Sequence, residues 1–92
     1  MAKINKIHLI GVGGAGMSGI AEILVNLNYK VSGSDNCPSE ITKRLEALGV
    51  ECFYEHADKN INNVDLIVIS SAIGQKNPEV IFGLNQGIPI IK

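Results

Sequence analysis

The residues with the clearest chemical meaning form a glycine-rich run near the start of the chain. Gly11, Gly13 and Gly16 have the spacing G-x-G-x-x-G, directly after an apolar stretch and before a segment with helical periodicity. In that setting Gly11 and Gly13 allow a tight turn close to a ligand, and Gly16 lets the new helix lie against the strand. The amides of the first helical turn then face an anion such as pyrophosphate. The run therefore predicts a nucleotide site rather than a merely tight turn.

Polar residues follow two of the other apolar stretches. Asp35 stands 19 positions after Gly16, close to the spacing of about 20 at which an acidic residue binds ribose hydroxyls. Ser34 could donate to a base or sugar oxygen, and Ser70 and Ser71 offer hydroxyls and amides to a pyrophosphate or sugar. A solvated aspartate and ordinary hydrogen-bonded turns are the alternatives. These residues predict recognition, not catalysis.

The histidines and cysteines give weaker signals. His56 lies in a polar connection and could reach the base or ribose, although a solvated loop histidine is an equal alternative. His8, within the first strand, is expected to be partly buried and hydrogen-bonded. Cys37 and Cys52 are too few and too far apart for a disulfide framework or C-x-x-C chemistry, so both are expected to be reduced, with Cys37 open to labelling.

Catalytic groups are missing from the sequence pattern. The chain has no nucleophile paired with a base, no cluster with metal-ligand spacing and no G-x-x-x-x-G-K-[ST] loop. We therefore expect no catalytic residue and no metal site, and a domain that binds and orients a ligand.

Strand-like and helix-like patterns alternate along the chain, which is typical of a parallel sheet built from βαβ units. Strands are predicted at 6–10, 29–35, 50–54, 65–69 and 88–91, and helices at 15–27, 39–48 and 78–86. Right-handed crossovers favour the order 3-2-1-4-5 with helices on both faces, a Rossmann-like, doubly wound α/β fold. The ligand crevice then lies between strands one and four, next to the carboxyl end of strand two.

Local signals predict the helix ends and buried faces. Ser39 is a candidate cap, Asn28 and Gly49 are stops, and residues 55–60 have room for one helical turn. Apolar spacing predicts that the helices pack on the sheet through Ile20, Ile23, Leu24 and Leu27, then Ile41, Leu45 and Leu48, then Val80, Ile81 and Leu84.

Composition limits the class of protein. The 92 residues are 46% hydrophobic and 18% charged, as in one folded globular domain. A net charge of -1 with scattered Lys and Arg gives no basic stripe, so nucleic acid is not an expected partner. The opening apolar stretch is too short for a membrane span or a signal segment, so the chain is expected to be cytoplasmic without a membrane partner.

Four blocks of sequence together carry a family resemblance. They are G-V-G-G-A-G-M-S-G-I-A-E, V-S-G-S-D, S-S-A-I followed by N-P-E, and G-I-P-I-I, and they span essentially the whole chain. The chain resembles the N-terminal, UDP-sugar-binding domain of the Mur ligase family, in particular the ligases that join L-alanine to UDP-N-acetylmuramate in bacterial peptidoglycan synthesis. The ligases that recycle murein tripeptide are a less similar branch.

The resemblance implies that residues 1–92 are one UDP-N-acetylmuramate-binding domain of a longer enzyme. The central domain, with its G-T-H-G-K-T loop for ATP and its magnesium, and the C-terminal domain would be absent. In the full-length enzyme ATP would phosphorylate the substrate carboxylate, and L-alanine would attack the acyl phosphate. The fragment alone is expected to need no cofactor and to have no ligase activity.

The resemblance also implies a set of substrate contacts. The predicted UDP-sugar-binding residues are Gly11, Gly13, Gly14, Ala15, Gly16, Met17, Ser34, Asp35, His56, Ser70, Ser71 and Ala72. The glycine run would line the uridine and diphosphate, Ser34 and Asp35 the uridine, and the turn after strand four the opposite wall. Glu55 stands before His56 where the family usually has glycine.

Two other functions remain open at this point. The glycine run and Asp35 would also suit an NAD(P)-binding module of an oxidoreductase or redox sensor, and a ligand-free interaction domain is a third possibility. A dinucleotide needs a second mononucleotide half, whereas a UDP-sugar needs only one.

Overall fold

A computed structural model describes residues 4–92 and shows a five-stranded, fully parallel sheet with the order β3-β2-β1-β4-β5. In chain order the elements are β1 (Lys6–Ile10), α1 (Ala15–Asn26), β2 (Lys30–Ser34), α2 (Glu40–Leu48), β3 (Glu51–Phe53), a turn of 3₁₀ helix (Asp58–Asn60), β4 (Leu66–Ile69), α3 (Pro78–Asn85) and β5 (Ile90–Ile91). The predicted doubly wound α/β fold and its strand order are confirmed. In this part of the chain, no helix is long and apolar enough to cross a membrane.

The register of the central strand brings three loops together. Ile10, the last residue of β1, pairs with Ser34 at the end of β2 and with Ile69 at the end of β4. Because the three strands are parallel, the segments that follow them leave the sheet at one edge. The glycine run, Asp35 and the serine turn after β4 therefore start side by side.

The helices cover both faces of the sheet. Alternate residues of β1 enter different cores: Leu9 packs with Met17 and Ala21 of α1, whereas Ile10 packs with Val80 of α3. The first core also includes Leu45 of α2, so α1 and α2 share one face and α3 has the other.

The buried face of α1 differs from the predicted one. Ile23 is 59% exposed and Leu27 62% exposed, as is Ile20 in large part, whereas Met17, Ser18 and Ala21 are buried. The helix is apolar around most of its circumference, so hydrophobic spacing does not define a single face. The helix instead packs on the sheet through Met17, Ser18 and Ala21, and the larger aliphatic side chains of Ile23 and Leu27 are left outside.

The same error occurs in part in the other two helices. Ile81 and Leu84 of α3 and Leu48 of α2 are largely exposed. In α3 the buried positions include Gly83, where an added Cβ would lie 2.5 Å from Cδ1 of Ile67. The helix packs too closely there for a side chain, which apolar spacing alone does not indicate.

The predicted helix ends are confirmed. The Ser39 hydroxyl accepts the Thr42 amide at 3.2 Å, and the Ser39 amide donates to the Thr42 hydroxyl oxygen at 2.8 Å, forming a capping box at the start of α2. Gly49 ends α2 at φ 107°, and Asn28 follows α1 at φ 71°. Both have the left-handed conformation that stops a helix.

Candidate functional site

The glycine loop between β1 and α1 leaves an uncapped helix N-terminus. Gly11 has φ +84°, and its amide donates to the carbonyl oxygen of Ser34 at 2.8 Å. Gly14 is the N-cap of α1 and brings no side-chain cap, and the first turn has no acidic residue. Within residues 4–92 the amides of residues 15–17 have no hydrogen-bond partner, as expected for a first helical turn. They can donate to an anion, with the helix dipole in support.

A groove of about 540 Å³ lies between this N-terminus and the turn after β4. It is lined by Gly14, Ala15, Gly16, Met17, Ile20, Ile69, Ser70, Ser71, Ala72 and Lys92. The structure thus places the later half of the glycine run opposite the serine turn, across the crevice that the strand order predicts. Gly11 lies beneath Ser70, since a Cβ at Gly11 would be 3.2 Å from its hydroxyl oxygen.

The glycines at the groove keep space open. A Cβ at Gly16 would meet nothing within 4 Å, and at Gly14 the nearest atom would be the Gly11 carbonyl oxygen at 3.4 Å. The prediction that Gly16 lets the helix lie against the strand is therefore wrong. Close packing is instead required at Gly33 in β2, where a Cβ would be 2.6 Å from Cβ of Val12. Internal packing therefore does not account for the missing side chains of Gly14 and Gly16.

Asp35 is bound to the glycine loop itself. Its Oδ2 accepts the amide of Gly13 at 2.9 Å, and its Oδ1 accepts the amide of Cys37 at 3.1 Å. The Gly13 amide is consequently used inside the protein. Each carboxylate oxygen has a second lone pair, so Asp35 retains capacity to accept ribose hydroxyls.

Ser34 lies beneath the site rather than in it. Its side chain is completely buried, its hydroxyl donates to Oε1 of Glu79 at 2.7 Å, and its oxygen lies 2.8 Å from Nδ1 of His56. With its proton already donated, Ser34 is not placed to contact a base or sugar directly. His56, 13% exposed, is thereby held against the carboxyl end of β2.

Sequence analysis did not identify Glu79, a buried carboxylate that is hydrogen-bonded to candidate site residues. It is fully buried in the first turn of α3, and its Oε2 accepts the amide of Ala57 at 2.9 Å and the side-chain amide of Asn60 at 2.7 Å. Burial raises the pKa of this carboxyl group, but hydrogen bonds from His8, Ser34 and Asn60 outweigh it and hold the pKa below its ordinary value. Glu79 is therefore an ionised, buried carboxylate that accepts hydrogen bonds from several parts of the chain.

His8 is another buried hydrogen-bond partner of Glu79. Its Nε2 lies 2.8 Å from Oε1 of Glu79, and its Nδ1 lies 2.7 Å from the hydroxyl oxygen of Ser32. The predicted hydrogen bonding of His8 is confirmed, although the residue is fully rather than partly buried. The sequence signals are a polar residue within a central strand and a carboxylate at the start of α3, the helix after β4, but 71 positions separate them.

Lys92 is a second residue that sequence analysis missed. It follows β5 and is one of the residues that line the groove, together with the first turn of α1. Its position follows from the strand order. β5 lies beside β4 and is parallel to it, so the carboxyl ends of both strands lie at the same end of the sheet.

The described chain also has a cavity apart from the glycine loop. A cavity of about 640 Å³ beside β3 is lined by Cys52, Phe53, Tyr54, Glu55, Lys59 and Asn60, none of them in the predicted set. Within residues 4–92, no three His, Cys, Asp or Glu side chains are grouped so that they could hold a metal ion. Cys37 is exposed, whereas burial, with Glu46 and Asp35 nearby, raises the pKa of the half-buried Cys52 thiol to about 11.

Comparison with known proteins identifies the chain's relatives. The family model for the Mur ligase family, catalytic domain, matches residues 6–92. A UDP-N-acetylmuramate–L-alanine ligase from Geotalea uraniireducens is 60% identical over 89 residues, covering 97% of this chain and 19% of the relative. The chain therefore spans about a fifth of the length of the curated relatives it matches.

Two solved structures have the same fold at lower identity. UDP-N-acetylmuramate-alanine ligase from Thermotoga maritima superposes with a TM-score of 0.90 and 34% identity, over 94% of this chain and 20% of that one. The UDP-N-acetylmuramate:L-alanyl-gamma-D-glutamyl-meso-diaminopimelate ligase from Neisseria meningitides gives 0.87 and 30%, over 97% of this chain and 28% of that one. The match to the family model and to close relatives covers nearly every residue described, and the chain belongs to the Mur ligase family.

Proposed function

We propose that this chain is the UDP-N-acetylmuramate-binding domain of an enzyme that joins L-alanine to UDP-N-acetylmuramate. The observation that carries the proposal is the groove at the N-terminus of α1, where Gly14 and Gly16 leave open space that internal packing does not require. Relatives named as this ligase, 52–60% identical, support the choice of substrate. A cytoplasmic location, as the sequence predicts, is part of the same proposal.

In this proposal the diphosphate lies in the groove. The amides of residues 15–17 and the hydroxyls of Ser70 and Ser71 donate to the phosphate oxygens, and the ammonium group of Lys92 offsets part of their charge. Met17 and Ala72 complete the walls. No single basic cluster is needed, because the helix dipole and amides supply most of the stabilisation.

The uridine lies toward β2. Asp35, half-buried beside the glycine loop, accepts the ribose hydroxyls, and His56 approaches the nucleoside from the side of β3. Ser34 takes part indirectly, by holding His56. The two parts of the site are joined by the hydrogen bond between Asp35 and Gly13.

ATP and magnesium belong, in this proposal, to other parts of the full-length enzyme. The residues described here do not fit them: the glycine loop has no lysine, and no group of metal-ligating side chains forms in residues 4–92. We therefore derive no step through either, and the chain by itself binds and orients its substrate. Full-length ligation would proceed by attack of L-alanine on an acyl phosphate.

The site can be tested with a matched pair of glycine variants. Gly16 and Gly19 both lie in α1, and a Cβ at either would meet nothing within 4 Å, but only Gly16 lines the groove. Amide NMR titration with UDP-N-acetylmuramate should shift residues 14–17 and 70–72, and Gly16→Val should weaken binding at least tenfold, a loss of about 1.4 kcal/mol. Gly19→Val should bind as the parent does.

The controls in this titration separate the candidate functions. UDP should produce a subset of the same shifts, and NAD should produce none. Shifts with NAD alone would replace the proposal with a dinucleotide site, and equal affinities of the two variants would place the substrate elsewhere.

A further inference from the structure

The proton positions around Glu79 follow from the chemistry of its partners. An ionised carboxylate can only accept, so the 2.7 Å contact with Ser34 requires the hydroxyl proton to lie between the two oxygens. A hydroxyl has one proton, so Ser34 cannot also donate to His56. The 2.8 Å contact between the Ser34 oxygen and Nδ1 of His56 therefore requires a proton on Nδ1.

The other ring nitrogen of His56 is then an acceptor. A neutral imidazole has one proton, so Nε2 has a free lone pair when Nδ1 is protonated. In the described residues Nε2 of His56 has no hydrogen-bond partner. Every fully buried side-chain nitrogen or oxygen among these residues does have a partner, so Nε2 must be exposed to solvent. Nε2 of His56 is thus a solvent-exposed hydrogen-bond acceptor at the carboxyl end of β2.

We propose that Glu79 is a positioning residue that acts through Ser34 to fix neutral His56 in its Nδ1–H tautomer, so that Nε2 accepts a hydrogen bond from the ligand. The ligand must bring an N–H or O–H donor to this point. In a UDP-sugar these donors are the ring N–H of uracil and the ribose hydroxyls. The choice of ligand rests on the proposed function, whereas the tautomer does not.

His8 provides an internal standard with the opposite tautomer. Its Nε2 lies 2.8 Å from the same carboxylate oxygen and must donate, so in the neutral ring Nδ1 accepts from the hydroxyl of Ser32 at 2.7 Å. The chain has only these two histidines. One buried carboxylate therefore holds the two imidazoles in opposite tautomers.

The tautomers can be read directly from the ring nitrogens. In long-range ¹H–¹⁵N correlation spectra recorded at alkaline pH, Nδ1 of His56 should give a protonated, pyrrole-type shift and Nε2 a bare, pyridine-type shift. His8 should show the reverse. A wild-type spectrum with the proton of His56 on Nε2 overturns the proposal, whatever the variants do.

Two serine variants form a matched test of the relay. Ser34→Ala removes the hydrogen-bonded link between Glu79 and His56 and leaves Nδ1 at 3.9 Å from Oε2 of Glu79, beyond hydrogen-bond distance. His56 should therefore shift toward the Nε2–H tautomer that free histidine prefers, while His8 is unchanged. Ser32→Ala removes an equally buried hydroxyl of the same strand, which is hydrogen-bonded to His8 and not to His56, and should leave His56 in the Nδ1–H form. Retention of the Nδ1–H form in Ser34→Ala would show that Ser34 does not set it.

Glu79→Gln tests the carboxylate itself. Ala57 and Asn60 require an acceptor, so the new amide group must direct its N–H toward Ser34 and His8. The Ser34 proton then turns to Nδ1 of His56, and both histidines should exchange tautomers. An unchanged His56 in a folded Glu79→Gln protein would contradict the role of Glu79, and if this variant does not fold, the serine pair decides.

Nucleotide titrations test the ligand contact separately. UDP should bind about tenfold more weakly to Ser34→Ala than to Ser32→Ala, the loss of one hydrogen bond. With 3-methyl-UDP, which lacks the ring N–H, that difference should vanish if uracil is the donor; with 2′,3′-dideoxy-UDP it should vanish if the ribose is. Equal UDP affinities would overturn the contact. Absence of any UDP binding would instead reject the proposed function, with the tautomer result intact.

Discussion

Oδ2 of Asp35 lies 2.9 Å from the backbone nitrogen of Gly13, so the acidic residue after β2 holds the glycine loop after β1. The two segments start side by side because Ile10 and Ser34 are paired at the ends of their strands. The proposed contacts to the nucleoside and to the diphosphate are thereby joined by one hydrogen bond. A substitution at either residue should therefore alter the position of the other.

Replacing Asp35 with Asn should weaken binding of UDP without unfolding the protein. The amide oxygen can still accept from Gly13, but the amide nitrogen cannot accept from Cys37 as Oδ1 does, and the charge that strengthens hydrogen bonds to ribose hydroxyls is lost. We expect a loss on the order of 1–3 kcal/mol in binding free energy, measured by calorimetric titration with UDP. Asp58→Asn, an equal change of charge at an exposed residue of the 3₁₀ turn, should leave the affinity unchanged.

A methyl group at Gly13 should be more costly than one at Gly14. A Cβ at Gly13 would lie 2.8 Å from Oδ2 of Asp35 and 3.3 Å from Cγ2 of Thr42, so the carboxylate must move and its bond to the loop is lost. At Gly14 the nearest atom, at 3.4 Å, gives ordinary contact. Urea unfolding should show Gly13→Ala destabilised by about 1 kcal/mol and Gly14→Ala nearly unchanged; equal stabilities would mean that Asp35 does not hold the loop.

Stability should fall in acid, partly because of Glu79. The folded state holds the pKa of Glu79 below its ordinary value, so the unfolded chain binds the proton more readily and acidification favours unfolding. This contribution is complete above the ordinary glutamate pKa of about 4.3 and is lost as the pH falls through the lower folded value.

The acid effect can be assigned with one variant. Glu79→Gln should be less stable at neutral pH, by about 1–3 kcal/mol for the broken buried hydrogen bonds, and its stability should fall less between neutral pH and about pH 3.5. Asp65, whose pKa is lowered by the amides of Lys6 and Asn5, should maintain part of the slope. Parallel acid limbs in variant and parent, from urea unfolding followed by circular dichroism, would contradict the assignment.

The two cysteines should react at very different rates. Cys37 is exposed next to Asp35, whereas burial helps raise the pKa of Cys52 to about 11, so Cys52 has almost no thiolate near neutral pH. Brief treatment with iodoacetamide should modify Cys37 alone, as peptide mass spectrometry would show. UDP should slow this reaction if the nucleoside lies against Asp35. Faster labelling of Cys52 would mean that β3 opens readily.

The fold was predictable because its signals are local: alternating apolar runs, Ser39 at a cap, and Asn28 and Gly49 at stops. The interior of the site was not, because it depends on pairs of residues distant in sequence. His8 and Glu79 are 71 positions apart and meet only after the sheet and α3 have packed. Likewise, the face of α1 was misassigned because the helix is apolar around most of its circumference, so apolar spacing does not select one face.

Lys92 should contribute to diphosphate binding by charge. It lines the groove at the N-terminus of α1, and in water two unit charges at 4 Å attract by about 1 kcal/mol. Lys92→Met should therefore reduce UDP affinity several-fold at low salt. Lys43→Met, which removes the same charge from the exposed surface of α2, should have little effect. The difference in UDP affinity between the two variants should decrease as salt screens the interaction. A difference that does not depend on salt would indicate that Lys92 acts through packing instead.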